Sequence, residues 1–290
     1  MSRFRFAGVA GAVVMLTLLA SAQITQAAEK APAELLPPST VVCVEINQPK
    51  DLISFAFDSA VRKQIDQTEG YRKFIDNPQY KIFQIIVAAI EQRAGVKWRQ
   101  ALETTTDGGV VLAFDAQTQG LVLLAKPSDP KTTDAVRDAF FAIARDDATK
   151  KGNPDPIEQK DYRGLTAFKI GDGMIANIGP YLMLTNKPDL AKATADRFLD
   201  GGASLADDHT FSGAHHDAAA SSTAWVFVRT APLRAMATDN PLLDPKYKSD
   251  NPAAEFLLGG LLPVVQKAEY VTASLSVKPD DLKLTLAAPL

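Results

Sequence analysis

The chain has 290 residues, 46% hydrophobic and 22% charged, with 31 Lys+Arg against 34 Asp+Glu and a formal net charge of −3. Its basic residues are scattered singly apart from short pairs such as Lys150-Lys151, so the clustered positive footprint of a nucleic-acid binder is missing. The only cysteine, Cys43, leaves no intramolecular disulfide to form, and the length suffices for one large core or two smaller ones.

The N-terminal stretch MSRFRFAGVAGAVVMLTLLASAQITQAAEK places Arg3 and Arg5 before an apolar run from Phe6 to Ala20 and then small residues, the three-part layout of a secretory signal peptide. Ala20-Ser21-Ala22 sets cleavage after Ala22, with Ala27 or Ala28 as second choices. The apolar run is shorter than the ~20 residues that span a bilayer, which argues against a retained anchor. Residues 1–22 are therefore expected to be removed on export to the periplasm or the cell exterior, leaving 29 basic against 34 acidic residues and no transmembrane span. Residues 29–38, rich in Pro and Ala, read as a linker.

From Thr40 to Ile46 apolar side chains occupy both alternating sets of positions, as in a central strand, with Cys43 a small buried hydrophobe rather than a nucleophile. Pro49 opens a helix with Leu52, Phe55, Ala56 and Ser59 on one face, and helical pattern continues over 61–76. Asn77 as cap and Pro78 in the first turn start a longer helix that stops at Gly95. Its wide apolar face, Ile82, Ile85, Ile86, Ala89 and Ile90, predicts hard packing against a sheet, a contact that Trp98 and Leu102 extend. Residues 108–127 form a hairpin around DAQTQG.

Asp129-Pro130 starts a helix that carries Val136, Phe140 and Ile143 to the core and gives way to a polar loop over 145–156. A meander of short strands then turns at Arg163-Gly164, Gly171-Asp172-Gly173 and Gly179-Pro180, and another helix runs from Pro188 to Gly201-Gly202. Hairpins and meanders between helices predict an α+β fold of antiparallel or mixed sheets covered by helices.

The sequence also echoes itself. STVVCVEINQP at 39–49 matches STAWVFVRTAP at 222–232, and the hairpin GVVLAFDAQTQGLVLLAKP is echoed by YVTASLSVKPDDLKLTLAAP, with an Asn-Pro helix start, Asn77-Pro78 and Asn251-Pro252, between strand and hairpin in each copy. One full unit over 39–220 and a partial second unit over 221–290, packed with the first, follow from this reading. The order LPPSTVVCVEINQPKDL, then DGGVVLAFDAQTQGLVLLAKP, then YRGLTAFKIGDGMIANIGPYLMLTNKPDLAKATADRFLDGGASLADD resembles a group of uncharacterised secreted bacterial proteins classed as a domain of unknown function. The resemblance implies export and a strand-helix-hairpin-helix-meander unit that can occur twice, and it brings no catalytic residue.

All three histidines fall within ADDHTFSGAHHDAAASSTAW, where His209, His215, His216 and Asp217 are the candidate metal ligands of a metal-assisted hydrolase. Two helical ligands of one zinc need a spacing of three or four residues, whereas His209 and His216 are seven apart, ~10.5 Å along a helix axis. The simpler reading is structural: Ser204 and Asp207 form a capping box, and Asp207 and Asp208 suit the positive end of a short helix. A triad of Ser212, His209 and Asp207 lacks the glycine frame of a nucleophile elbow. Asp147, Gly152 and Glu158 match the calcium-loop spacing, but Lys151 stands where a ligand is required, so the match is accidental. Trp98 and Trp225 read as core anchors. With no cofactor motif and no catalytic constellation, the expected function is a non-enzymatic binding or structural module of the periplasm or cell envelope, with an envelope protein or another ligand as partner and a lipid as a further possibility.

Overall fold

The apolar stretch Thr40–Ile46 forms β1 at the centre of the sheet, flanked by β2 (Val110–Asp115) and by β8 (Ala224–Arg229). The computed structural model describes residues 29–219, 221–236, 267–278 and 281–289, so the expected signal segment and the expected helix start at Asn251-Pro252 lie outside the described residues. The remaining described strands are β3 (Gly120–Ala125), β4 (Ile157–Tyr162), β5 (Leu165–Ile170), β6 (Gly173–Ile178), β7 (Tyr181–Thr185), β9 (Tyr270–Lys278) and β10 (Asp281–Ala287). Together they make one ten-stranded sheet in the order β10-β9-β8-β1-β2-β3-β7-β6-β5-β4. Every described pairing is antiparallel, and the fold is α+β.

Alternation along the strands gives the sheet two unequal faces. One face buries Cys43, Val111 and Ala113, Val122 and Leu124, Met183, Trp225 and Phe227 under α1 (Pro32–Leu35), α8 (Pro188–Asp200), a 3-10 turn (Leu205–Asp207) and α9 (His209–Ala218). On the other face Leu112, Leu121 and Leu184 remain 36–44% exposed. There α7 (Pro130–Lys150) sets Phe141 edge-on to Phe168 of β5, with ring centroids 5.0 Å apart.

Between β1 and β2 the chain runs through α2 (Pro49–Asp58), α3 (Ala60–Ile65), α4 (Glu69–Asp76), α5 (Pro78–Ala94) and α6 (Trp98–Thr106). Their ends follow the sequence chemistry. Ser59, Thr68 and Asn77 each accept a backbone N–H at a helix start, and Gly95 ends α5 in the left-handed region at φ 69°. Gly179 in the β6–β7 turn has φ 56°, and a Cβ there would stand 2.6 Å from the Phe198 ring, so only glycine fits. After β8 the described chain continues as α10 (Thr230–Met236).

Several sequence expectations change. The Pro/Ala stretch at 29–38 is no spacer: α1 buries Leu35 and Leu36 completely, and the Leu205 N–H bonds the Leu36 carbonyl at 2.9 Å. In α2 the buried residues are Pro49 and Ile53, while Ala56 is exposed. Helix α5 packs on α7 rather than on the sheet. In α7 Phe141 turns inward and Phe140 outward, one residue away from the expected face, and helix extends through 145–150 where a loop was expected.

Candidate binding surface

The histidine-bearing segment is built as a joint. Asp207 accepts the Ser204 backbone N–H and its hydroxyl, both at 2.9 Å, closing the 3-10 turn, and Asp208 accepts the Phe211 N–H at 2.8 Å to start α9. His209 is exposed at the beginning of that helix, whereas His215 points to the sheet; the side chains of His216 and Asp217 lie outside the described set. Among the described residues no three His, Cys, Asp or Glu side chains come together as a metal site. Ser212 donates to the His209 carbonyl, a bond within its own helical turn and not to an imidazole.

His215 instead meets Glu45 of β1, Nε2 to Oε2 at 2.8 Å, and its ring lies beside Phe211 and Trp225 with centroids 5.1 Å from each. The Glu45 hydrogen bond raises the imidazole pKa above its ordinary value, outweighing the opposing effect of burial. A raised folded-state pKa means that the pair's stabilisation is fully present below the unfolded value of ~6.5 and is lost as pH rises through the folded value. The stability gap between wild type and His215→Gln, from urea unfolding, is therefore expected to be larger at pH 5.5 than at pH 8.5. Because His215 is 37% exposed the difference should be under ~1 kcal/mol. A gap that widens towards pH 8.5 contradicts the pairing. Cys43, on the same sheet face, is fully buried, and burial together with the Glu45 carboxylate pushes its thiol well up, away from thiolate chemistry.

The unusual surface lies elsewhere. No residue of α3, α4 or α5 is buried. Phe74 is 56% exposed, Ile82 57%, Phe83 59% and Ile85 68%, and Val61, Ile65 and Phe57 extend the same apolar composition. Large apolar side chains exposed in such number along successive helices are uncommon on a folded protein unless something covers them. The side chains are also organised. Phe74 and Tyr80 rings lie 4.7 Å apart and Tyr80 and Phe83 rings 6.3 Å apart, while Arg62 sits over the Tyr71 ring at 4.4 Å. Trp98, read from sequence as a core anchor, is 41% exposed and packs edge-on against Phe57 at 5.1 Å. Trp225 is fully buried.

Charge is distributed unevenly around this layer. Residues 50–99 hold nine basic and six acidic side chains in a chain whose total is −3. Lys73–Glu69, Arg62–Asp66 and Lys97–Glu91 pair locally, whereas Arg93 reaches Asp146 of α7 and Arg99 reaches Asp58 of α2, so two arginines tie the layer together. The sequence carried the sign of this surface in the Ile82–Ile86 pattern; it did not carry what the pattern faces.

No family model matches the chain, and no curated protein matches it. Among solved structures it is similar to crystal form III of TP0453, with a TM-score of 0.48 at 10% identity over 90% of this chain and 80% of that one. Crystal forms I and IV of TP0453 give TM-scores of 0.46 and 0.43 at 11% identity, covering 90% and 89% of this chain and 79% and 80% of theirs.

Proposed function

We propose that the chain is an exported, non-enzymatic protein of the bacterial periplasm or cell envelope that binds through the apolar layer α2–α6, and that the partner of this layer is a lipid surface. The observation that carries the reading is the complete absence of buried residues from α3, α4 and α5 beside exposed Phe74, Ile82, Phe83 and Ile85. Short helices that expose aromatic and aliphatic side chains together with Lys and Arg suit the boundary between headgroups and acyl chains. The basic excess over 50–99 favours anionic lipid over a neutral one. Among the described residues no helix is long and apolar enough to cross a membrane, which fits attachment at the surface.

Export rests on the layout of residues 1–22, and membership in the group of secreted bacterial proteins on the motifs quoted above. The repeat reading has support in the register of β1 and β8. Cys43 pairs with Phe227 and Val44 with Val226, while the echo aligns Cys43 with Val226 and Val44 with Phe227, so equivalent residues exchange places about a local two-fold axis. The hairpins β2–β3 and β9–β10 then flank the two central strands on opposite sides.

Flotation with vesicles tests the function. Mature protein should rise with vesicles containing phosphatidylglycerol, less with pure phosphatidylcholine, and the difference should shrink at high salt as charges are screened. Failure to float with either composition removes the lipid-surface reading.

A further inference from the structure

At the β4 end of the sheet, far along the strand order from β1, the buried face is only half roofed. Helix α8 packs over β3, β7 and β6, and the sheet continues past it into β5 and β4. Between the flank of α8 and these last strands runs a trough of about 310 Å³, at the lower end of the range of small-molecule sites. Its floor is apolar: Ala167, Met174, Ala176 and Met183 come from the sheet, and Ala191 and Ala195 from the helix. The alanines keep the channel open, and the methionines give it an adaptable lining.

The two ends of the trough differ. At one end Tyr162 donates to Asp196 at 2.9 Å, and Arg163 binds Asp196 at 3.0 Å and Asp200 at 2.6 Å, clamping the β4–β5 turn onto the last turns of α8. At the other end Lys169 pairs across the sheet with Met174 and Met174 with Thr185, which places Lys169 level with the first turn of α8. Lys160 and Lys192 also line the trough. Glu158, opposite Lys169 and bonded to Lys160, and Asp161, which also lines the trough, are the acids beside them, so three lysines against two carboxylates leave the rim net positive; at the N-terminus of α8 Asp189 sits in the first turn.

We propose that this trough binds a single-chain anionic amphiphile, its alkyl chain along the alanine-methionine floor and its anionic head among Lys160, Lys169 and Lys192. An alkyl chain suits a narrow apolar floor without polar partners, and the lysine rim selects an anion over a cation. The site shares no residue with the α2–α6 layer and does not depend on membrane attachment.

Isothermal titration with monomeric dodecanoate, without vesicles, tests it. One-to-one binding is expected, at least tenfold weaker for Ala191→Phe, which fills the trough. The exposed-surface variant Lys192→Glu, combined with Lys169→Glu, should exchange the preference for dodecanoate for one for dodecyltrimethylammonium without loss of fold. Phe83→Glu/Ile85→Glu should bind dodecanoate as wild type does, which separates this site from the helical layer. A parallel titration with single-chain lysophosphatidylglycerol distinguishes a membrane-derived lipid from a free fatty acid, and tighter binding of either one agrees with the proposal. No binding of either, an unchanged affinity in Ala191→Phe, or indifference to the sign of the head overturns it.

Discussion

Replacing Phe83 and Ile85 together with glutamate is expected to abolish flotation with anionic vesicles while leaving the melting temperature of the free protein nearly unchanged. The two side chains are 59% and 68% exposed, so their removal takes little from the folded state, and substitutions at such positions ordinarily stay within about 0.5 kcal/mol. At a lipid surface the same side chains are the ones that leave water. Burying an aromatic or aliphatic side chain contributes about 1.5–3 kcal/mol. Losing two, and carrying two carboxylates against an anionic surface, should weaken binding by a factor of at least about 100. Leu121→Glu, on the exposed sheet face, serves as the control and should float as wild type does. If the double variant instead loses several kcal/mol of stability, these α5 side chains are covered in solution. If wild type sediments as a dimer that the substitutions split, the occupant is a second copy. Either result, or unchanged flotation, removes the lipid-surface assignment.

That prediction turns on the point at which the sequence stopped being informative. Periodicity reports that a helix has an apolar side, and for Ile82, Ile85 and Ile86 it did so correctly. It is silent on whether the side meets a sheet, another helix or lipid, because burial belongs to the tertiary arrangement. Strand β1 was legible for the opposite reason: a short apolar run with both alternating sets filled has few places to go but the middle of a sheet. Caps were legible as well, since Asn77 and Gly95 act on their own neighbouring backbone.

Errors of one position came from helices. Phe140 and Phe141 differ by only about 100° around the axis, and the expected face of α7 was one residue out. The composition of 145–150 is that of a polar loop, yet Asp147 and Lys151 pair at i,i+4 across the last turn of α7. Leu35 and Leu36 were missed because a Pro/Ala context outweighed two adjacent leucines. The lysine-rimmed trough had no local signature at all. Its walls come from 160–169, 174–183 and 188–195, brought together by strand pairing and a crossing helix.

Trp225→Ala is expected to be the most damaging single substitution in the central β1–β8 ladder. Trp225 is 0% exposed, stacks on Phe227, meets Phe211 edge-on, and pairs across the sheet with Glu45 in the central β1–β8 ladder. Truncating a buried tryptophan to alanine costs about 3–5 kcal/mol through lost burial and the cavity left behind. At about 2–4 °C per kcal/mol for a chain of this size, the melting temperature should fall by about 6–20 °C. Trp225→Phe should cost much less, because it keeps most of the ring volume and removes an indole N–H that finds no acceptor among the described residues. The shape of the melt carries further information. Because β8 pairs with β1 on one side and β9 on the other, loosening this ladder should lower one cooperative transition for the whole sheet. A melt in which only a minor early phase moves would mean that residues 39–220 hold their fold without β8, and that the central ladder contributes little to their stability.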